Sequence, residues 1–468
     1  MPHSLRPVVP GSPLSPGSGG FPETPRVLLL AAPAGPGVER YLAAVQEALR
    51  AGGAALTRLD LPAPGGDAPD RPDATRPDTT GQAITRLDAP PRRGLLSRPA
   101  DLLARTPFGT GGQARSGPQA GTGAQLAARV DVARRAAGAA RRFGHLDALV
   151  AGHPSLIKSA AGAASLGGAR RVPVLCYGAD IWRMPSTDRA LLARHPLIYP
   201  VTVSSFSAGA LAGTRLARLL PPGVPAAWRA ALLAEGARRR PHPPVPTLLS
   251  VFPLASWSDK GLPTLLAALE LTRAELGPVR LVVAGQGPAP GALHELLSAT
   301  PDAELLESPP DEALARLYAT ADLYALCTRT RTGGADASAE GYGLTLLEAQ
   351  LAGCAVVGPA HGGSRDAYQE GVTGLTPADE SPRALAEVLA GLLRDRARLT
   401  RIGRRGAEWA ASVTRPDDHQ RAVFQTLLGT SPPQPPAAAV AAVAAAPTAP
   451  TQPDGRRSPD LPRPLYSR

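Results

Sequence analysis

The sequence is poor in lysine, cysteine and aromatic residues, and each shortage narrows the class of protein. Of its 50 basic residues only two are lysines, Lys158 and Lys260. Its three cysteines contain no CxxC pair, which argues against a disulfide framework or a structural zinc site and favours a cytoplasmic location. Aromatic residues make up 4% and do not alternate with arginine, so the stacking surface of a single-strand nucleic-acid binder is missing.

The formal net charge of +11 is a weak indicator of an anionic partner in this chain. The positive charge is nearly all arginine, and 49 glycines and 53 prolines show a compositional bias over the whole sequence. We therefore expect no nucleic-acid partner; a basic nucleic-acid binder is an alternative that salt-dependent DNA binding would identify. No apolar run reaches the roughly 18 residues of a transmembrane helix.

One predicted helix, 124–143, is strongly basic. Five arginines face one aspartate along it: Arg129, Arg134, Arg135, Arg141 and Arg142 against Asp131. Such a face is able to lie on anionic lipid, which would give a peripheral contact at the inner membrane face. A solvated face in an arginine-biased chain explains the same pattern, and we favour that interpretation.

Composition separates low-complexity segments from segments with regular periodicity. The low-complexity ones are a predicted disordered arm at 1–24, an insertion at 62–122 and a disordered tail at 431–468. The remaining predicted parts are a first lobe at 25–236, a hinge linker at 237–246, a second lobe at 247–412 and a terminal helix at 413–430 that packs back on the first lobe.

Short β-type runs alternate with amphipathic helical stretches in both halves. The predicted strands are 26–32, 54–60, 146–152, 172–178 and 197–205, then 247–254, 279–285, 303–308, 322–328 and 354–360. Predicted helices between them include 124–143, 207–219, 261–276, 310–320, 344–352 and 380–394. The pattern predicts an α/β fold with two Rossmann-like lobes, whose parallel sheets face one cleft and bind ligand at the carboxyl ends of their strands.

The most informative stretch begins at Glu340. A turn formed by Gly341 and Gly343 opens a helix whose first residues, Leu344 and Thr345, present unpaired backbone N–H groups to the cleft, and such a helix end binds anions. Glu348 lies about one turn into that helix, where its carboxylate is placed to accept hydrogen bonds from a ribose diol.

A second turn follows the next predicted strand. There Gly362 and Gly363 allow close backbone approach and open another helix at Ser364, so two such turns would share one diphosphate. Motifs of other enzyme classes are missing: the sequence has no GxxxxGK, HRD, GxSxG, HExxH or DxD. The segment AGQGPAPG at 284–291 imitates a dinucleotide fingerprint, but we interpret it as a tight turn after a strand.

These residues resemble the family 4 retaining glycosyltransferases of GT-B fold, which show two acidic residues separated by seven others, here Glu340 and Glu348. The segment 250–269 is similar to the family's strand, loop and Lys-Gly turn and contains Lys260. The similarity in the second half extends to 284–288 and 311–326, and a looser similarity in the first half covers 31–42, 176–182 and 203–211.

The resemblance implies transfer of a sugar from a nucleotide-sugar donor to an acceptor hydroxyl with retained anomeric configuration, without metal or other cofactor. Lys260 and the start of helix 344–352 would take the diphosphate charge, Glu348 would bind ribose and Glu340 would bind hydroxyls of the donor sugar. In the first lobe, the expected residues on the acceptor or sugar side are Gly35, Gly37, His153, Tyr177 and Asp180.

Some first-lobe residues also have structural explanations. Asp180 is equally well explained as a cap on the following turn, His153 as a structural residue at a strand end, and the glycines as a tight loop.

Two residues depart from the family pattern. Pro253 stands where the family commonly has an arginine that pairs with the lysine, and Tyr177 where it often has a histidine. A proline has no charge and no N–H, so Lys260 and the helix ends would bear more of the diphosphate charge unless an unaligned arginine substitutes. Two alternatives therefore stay open: a non-catalytic nucleotide-sugar-binding protein and a phosphorylase-like enzyme of the same fold.

Overall fold

The computed structural model describes residues 24–61, 133–142, 144–239, 243–331 and 337–432. The predicted insertion lies outside the described residues, and so do the predicted arm and tail apart from residue 24 and residues 431–432. Residues 124–132 of the predicted basic helix and 240–242 of the predicted linker also lie outside them.

The first half of the chain forms a six-stranded parallel sheet in the order β2-β1-β3-β4-β5-β6. Its strands are β1 (Arg26–Ala31), β2 (Ala55–Asp60), β3 (Ala148–Ala151), β4 (Val172–Cys176), β5 (Ile198–Thr202) and β6 (Arg218–Leu219). The central strands are buried along their whole length because helices cover both faces of the sheet.

In the described part of this half, the α-helices are α1 (Pro36–Ala51), α2 (133–142), α3 (Ile157–Gly167), α4 (Ala179–Trp182), α5 (Ser186–Arg194), α6 (Ser205–Ala210) and α7 (Ala226–Ala237). Helix α1 shows why they pack as they do. Its buried residues Tyr41, Leu42, Val45 and Leu49 recur at helical spacing and form one apolar stripe against the sheet.

The second half repeats the plan in the order β12-β11-β10-β7-β8-β9. Its strands are β7 (Thr247–Val251), β8 (Arg280–Gly285), β9 (Ala303–Glu307), β10 (Leu323–Ala325), β11 (Ala355–Val357) and β12 (Gly374–Leu375). Its helices are α8 (Leu262–Leu276), α9 (Gly291–Ser298), α10 (Asp311–Thr320), α11 (Leu344–Leu351), α12 (Pro382–Arg394), α13 (Arg396–Val413) and α14 (Pro416–Val423). Two parallel α/β lobes confirm the predicted fold class.

The predicted helix 207–219 is wrong. Helix α6 begins after the cap residue Ser204 and ends at Ala210, and Gly213 then adopts a left-handed conformation (φ +85°) that a helix does not tolerate. The following residues instead form β6, which pairs with β5 at the edge of the sheet. The helix expected to open at Ser364 is a single 3₁₀ turn, Gly363–Asp366.

The two lobes share packed surfaces. Helix α7, which ends the first half, packs against α10 and α11 of the second, and one continuous apolar core includes Trp228, Tyr318 and Tyr324. After α14, the Tyr199 hydroxyl donates a hydrogen bond to the Thr426 carbonyl at 2.9 Å, so the end of the described chain packs on the first lobe.

Two observations concern contact with membranes. Among the described residues, no helix is both long and apolar enough to cross a bilayer. Helix α2 exposes Arg134, Arg135, Arg141 and Arg142 and buries alanines against the first lobe. This amphipathic arrangement agrees with either interpretation of the basic face, and the peripheral membrane contact stays a prediction.

Candidate active site

A cavity of about 570 Å³ lies between the two lobes. The carboxyl ends of strands from both sheets open onto it, because Tyr177 follows β4, Val251 ends β7, Gly285 ends β8 and Leu326 follows β10. This is the position where open parallel α/β sheets bind their ligands. The structure therefore places a ligand cavity where the sequence predicts one.

Glu340 and Lys260 form an ion pair in the wall of this cavity. The Lys260 Nζ lies 2.7 Å from Glu340 Oε2, although 80 residues separate them in sequence. The same oxygen accepts a hydrogen bond from the Thr328 hydroxyl at 2.7 Å. Both side chains of the pair are largely buried, with 14% of Glu340 and 23% of Lys260 exposed. The carboxylate thus has a fixed position.

The pKa of Glu340 lies below its usual value of 4.5. Burial opposes ionisation, but the charge of Lys260 and the hydrogen bonds from Lys260, the Thr328 hydroxyl and the Gly343 backbone outweigh it. The carboxylate is therefore ionised at neutral pH, while it stands beside a positive charge. A buried pair of this kind provides charge of both signs to one ligand.

Helix α11 points its first residues into the same cavity. Gly343, its N-cap, is left-handed (φ +80°, ψ 59°), a conformation that favours glycine, and the cavity wall includes Gly343, Leu344 and Thr345. Glu340 precedes this helix, so Lys260 and the positive end of the helix lie in one wall of the cavity.

At Gly341 the backbone of the second lobe lies close to the backbone of the first. A Cβ atom on Gly341 would lie 1.7 Å from the carbonyl oxygen of Tyr177, a backbone atom that has little freedom to move. We expect Gly341→Ala to push the lobes apart and to lower kcat/KM of sugar transfer by about tenfold to hundredfold, the cost of misplacing groups by about 1 Å.

The control for this substitution is Gly162→Ala in α3, where a Cβ would meet nothing within 4 Å. It should leave both kcat/KM and Tm close to those of the wild type. Wild-type kcat/KM in Gly341→Ala would show that the close approach of the lobes is not required for activity.

Glu348 lies at the cavity wall but is almost fully buried. It lies one turn into α11, is 2% exposed and accepts three hydrogen bonds. Its Oε1 binds Arg40 Nη1 and Trp228 Nε1, each at 2.8 Å, and its Oε2 binds the Tyr318 hydroxyl at 3.0 Å. Its carboxylate is therefore held by side chains from three helices, although Glu348 still contributes to the cavity wall.

The first-lobe candidates line the cavity with their polar groups already engaged. The Tyr177 hydroxyl donates to the Gly152 carbonyl at 2.8 Å, and the Asp180 carboxylate accepts from the backbone N–H groups of Tyr177 and Gly178. Both donors precede Asp180 in the sequence, so its carboxylate holds the turn before it rather than capping a following turn. His153 stacks on Tyr177 and its pKa is lowered by burial, which outweighs the attraction of Asp180.

The glycines predicted to bind ligand divide into two groups. Gly35 and Gly37 line the cavity, and no atom lies within 4 Å of a Cβ built on either. Gly362 and Gly363 instead lie behind Glu340 and Gly341: the Gly363 N–H donates to the Glu340 carbonyl at 2.8 Å. The structure thus gives the second turn a supporting position behind the first.

Several cavity residues were not singled out from the sequence. Arg40 and Arg183 from the first lobe and Thr328 from the second all contribute to the wall. Arg183 donates from Nε to the Ala337 carbonyl at 2.9 Å, a contact between the lobes. Arg40 follows the glycine loop on α1, but no spacing connects it with Glu348, which lies 308 residues further on.

A smaller pocket of about 230 Å³ adjoins the cavity on the first-lobe side. Both share His153, Asp180 and Arg183, and the smaller pocket adds Lys158, whose Nζ lies 3.0 Å from Asp188. In the part of the chain that the structure describes, no group of three or more His, Cys, Asp or Glu side chains is placed to hold a metal ion.

Comparison with known sequences identifies the second lobe directly. A family model described as "Glycosyl transferases group 1" matches residues 246–395, which include Lys260, Glu340 and Glu348. Over 271 residues the chain is 32% identical to the GDP-mannose-dependent alpha-(1-6)-phosphatidylinositol monomannoside mannosyltransferase of Mycobacterium tuberculosis, an alignment that covers 54% of this chain and 68% of that enzyme.

Comparison with solved structures extends the similarity to both lobes. A glycosyltransferase from Rickettsia africae superimposes with a TM-score of 0.60 at 14% identity, over 87% of this chain and all of that one. HepE of Anabaena in complex with UDP-glucose superimposes with a TM-score of 0.56 at 16% identity, over 86% of this chain and all of that one. At such identities the likeness concerns the fold, and it is the GT-B fold. Together with the related sequences, it shows that the chain is an enzyme that belongs to the group 1 glycosyltransferases.

Proposed function

We propose that this glycosyltransferase moves a sugar from a nucleotide-sugar donor to an acceptor hydroxyl with retention of configuration. The observation that carries the proposal is the wall formed by Glu340, Lys260 and the start of α11, with Glu348 one turn deeper. Glu340 is then the carboxylate that binds the donor sugar, Lys260 and the start of α11 bind the phosphates, and Glu348 is the carboxylate that binds the ribose. This order matches the order of sugar, diphosphate and ribose in the donor.

The leaving nucleoside diphosphate needs positive charge as its bond to the sugar breaks. Lys260 and the backbone N–H groups at the start of α11 supply that charge, and they are in place before the reaction. We propose that no metal ion takes part, because Lys260 and the start of α11 already supply positive charge for the diphosphate. Activity in the presence of EDTA tests this directly.

The donor sugar develops positive charge at its anomeric carbon during transfer. The ionised Glu340 carboxylate binds a sugar hydroxyl and favours that charge, and Lys260 keeps it ionised despite burial. The acceptor hydroxyl approaches from the face that the leaving group vacates and passes its proton to the departing phosphate oxygen, so configuration is retained without a covalent enzyme intermediate. Close contact of the lobes at Gly341 and Tyr177 keeps water from competing with the acceptor.

The related mannosyltransferase makes GDP-mannose the first donor to test. The same relative acts on a phosphatidylinositol mannoside, and the smaller pocket next to the cavity carries Lys158 and Arg183. We propose that this pocket binds the acceptor and that the acceptor is a polyol with a phosphate group. The shared residues His153 and Asp180 lie between it and the donor cavity.

The test is transfer and hydrolysis by the full-length protein with a panel of donors: GDP-mannose, UDP-glucose, UDP-N-acetylglucosamine and ADP-glucose, each with and without EDTA. Release of nucleoside diphosphate supports the proposal. Proton NMR of the product shows whether the anomeric carbon of the transferred sugar keeps the configuration it has in the donor. Binding without release from any donor would favour the non-catalytic alternative. Phosphate-dependent release of sugar 1-phosphate from a glycan would favour the phosphorylase-like one.

A further inference from the structure

Arg40 connects the two lobes through one guanidinium group. From α1 it donates Nη1 to Glu348 at 2.8 Å and Nη2 to Asp311, the first residue of α10, at 2.6 Å. Its plane lies over the Trp228 ring, with the guanidinium carbon 4.5 Å from the ring centroid. The side chain is 21% exposed, and it lines the donor cavity.

This contact bears on the ribose-binding role proposed for Glu348. A carboxylate offers about four acceptor positions, and three are taken by Arg40, Trp228 and Tyr318. A vicinal diol donates two hydrogen bonds, one more than the remaining position accepts. Trp228 and Tyr318 are buried core side chains, whereas Arg40 is partly exposed in the cavity wall, so Arg40 is the donor that a ribose is able to displace.

The cavity also has few cations for a diphosphate. Among its described lining residues the permanent cations are Arg40, Arg183 and Lys260. The charge of Lys260 is opposed by Glu340 at 2.7 Å, and residue 253 is a proline. Arg183 donates to the Ala337 carbonyl across the lobes, and it also lines the smaller pocket.

We propose that Arg40 changes partner when the donor binds: the ribose takes its place on Glu348, and the released guanidinium binds the diphosphate that Pro253 leaves without a second cation. The inference rests on the proposed nucleotide-sugar donor. It assigns Arg40 two opposite effects, because the residue competes with the nucleoside part of the donor and attracts the phosphate part. Since Arg40 joins α1 to α10 and α11, the exchange also transmits donor binding between the lobes.

The experiment measures binding of guanosine and GDP to the full-length protein by calorimetry, for wild type and Arg40→Gln. Because Arg40 competes with the ribose for Glu348, its removal should raise the affinity for guanosine about fivefold. The loss of a charge-assisted contact with the diphosphate should lower the affinity for GDP about tenfold. The opposite signs distinguish the exchange from a general loss of the site. If GDP does not bind the wild type, uridine and UDP, then adenosine and ADP, replace this pair.

Asp311→Asn is a second variant, and it leaves Arg40 in place. Because the Asp311 side chain is 60% exposed, the substitution does not endanger folding. The substitution weakens the contact of residue 311 with the Arg40 guanidinium, so the affinities for guanosine and for GDP should each rise about threefold. The control is Arg58→Gln: Arg58 is also 21% exposed and also contacts two carboxylates, Asp60 and Glu39, but it does not line the cavity. It should change neither affinity.

Three results would overturn the inference, and failure of the donor class is distinguishable from failure of the exchange alone. If no nucleoside diphosphate of the panel binds the wild-type protein, the proposed donor class fails and the inference with it. If GDP binds but Arg40→Gln weakens guanosine and GDP by the same factor, Arg40 only positions Glu348, and the exchange alone is refuted. Equal affinities of wild type and Asp311→Asn would refute it in the same way.

Discussion

Glu340→Gln is expected to lower kcat of sugar transfer by about 10³-fold while Tm stays near that of the wild type. The amide keeps the size of the carboxylate and can still accept from the Thr328 hydroxyl, but it provides no negative charge to the sugar as positive charge develops there. Because the loss concerns the transition state, KM for the donor should change far less than kcat. Steady-state kinetics on the donor panel measures both.

The matched control for this substitution is Glu304→Gln. Glu304 lies on β9 of the same lobe and pairs with Arg280 on β8, outside the cavity. It should leave kcat unchanged. Comparable loss of kcat in both variants would mean that Glu340 acts through the stability of the lobe.

The pH dependence of activity provides a second measurement on Glu340. Its pKa is lowered below 4.5 because Lys260 and the hydrogen bonds from Thr328 and Gly343 outweigh burial, so the unfolded chain binds the proton more tightly than the folded one. Its contribution to stability is therefore present above pH 4.5 and is lost as the pH falls through the lower folded value. The acid limb of kcat that Glu340 causes should likewise lie below pH 4.5; an acid limb above it that Glu340→Gln abolishes would contradict this.

Lys260→Met should lower kcat/KM for the donor by about 10³-fold, because the diphosphate loses its fixed cation while Glu340 stays buried without its partner. The loss of Lys260 also removes the main group that opposes burial, so the pKa of Glu340 should rise and the acid limb should move to higher pH. Donor kinetics over a range of pH measures both effects. An unchanged acid limb would show that Thr328 and Gly343 alone hold the carboxylate ionised.

The double variant Lys260→Met/Glu340→Gln tests whether the two residues act as a unit. Since they share one hydrogen bond, the combined loss should be smaller than the product of the two single losses. The ion pair of Arg280 and Glu304 on the same sheet is the control, and Arg280→Met should leave kcat/KM unchanged. Fully multiplicative losses at Lys260 and Glu340 would indicate independent roles.

Much of the fold was accessible from the sequence because it depends on local pattern. Strands such as β1 and β8 are short apolar runs bounded by turn residues, and the structure places them within two residues of the predicted bounds. The prediction of a helix over 207–219 failed because the β6 strand there depends on pairing with β5, which no local pattern reveals.

The candidate site was likewise predictable only in part. The glycine turn, the helix after it and the spacing of Glu340 and Glu348 lie within one short segment, and the structure places that segment in the wall of the cavity between the lobes. The partners of Glu348 could not be foreseen in this way. Arg40 and Trp228 reach it from α1 and α7, and their approach depends on how two separately wound sheets pack.

Order along the chain was thus enough for the alternation of strands and helices, for the glycine turn that opens α11 and for the two acidic residues beside it, because each arises from neighbours within a few residues. The burial of Glu348, the close approach of Gly341 to Tyr177 and the bridge made by Arg40 emerged only once the lobes were assembled. Their physical reason is common: all three are contacts between lobes, and the geometry of such contacts is set by packing across hundreds of residues of sequence separation.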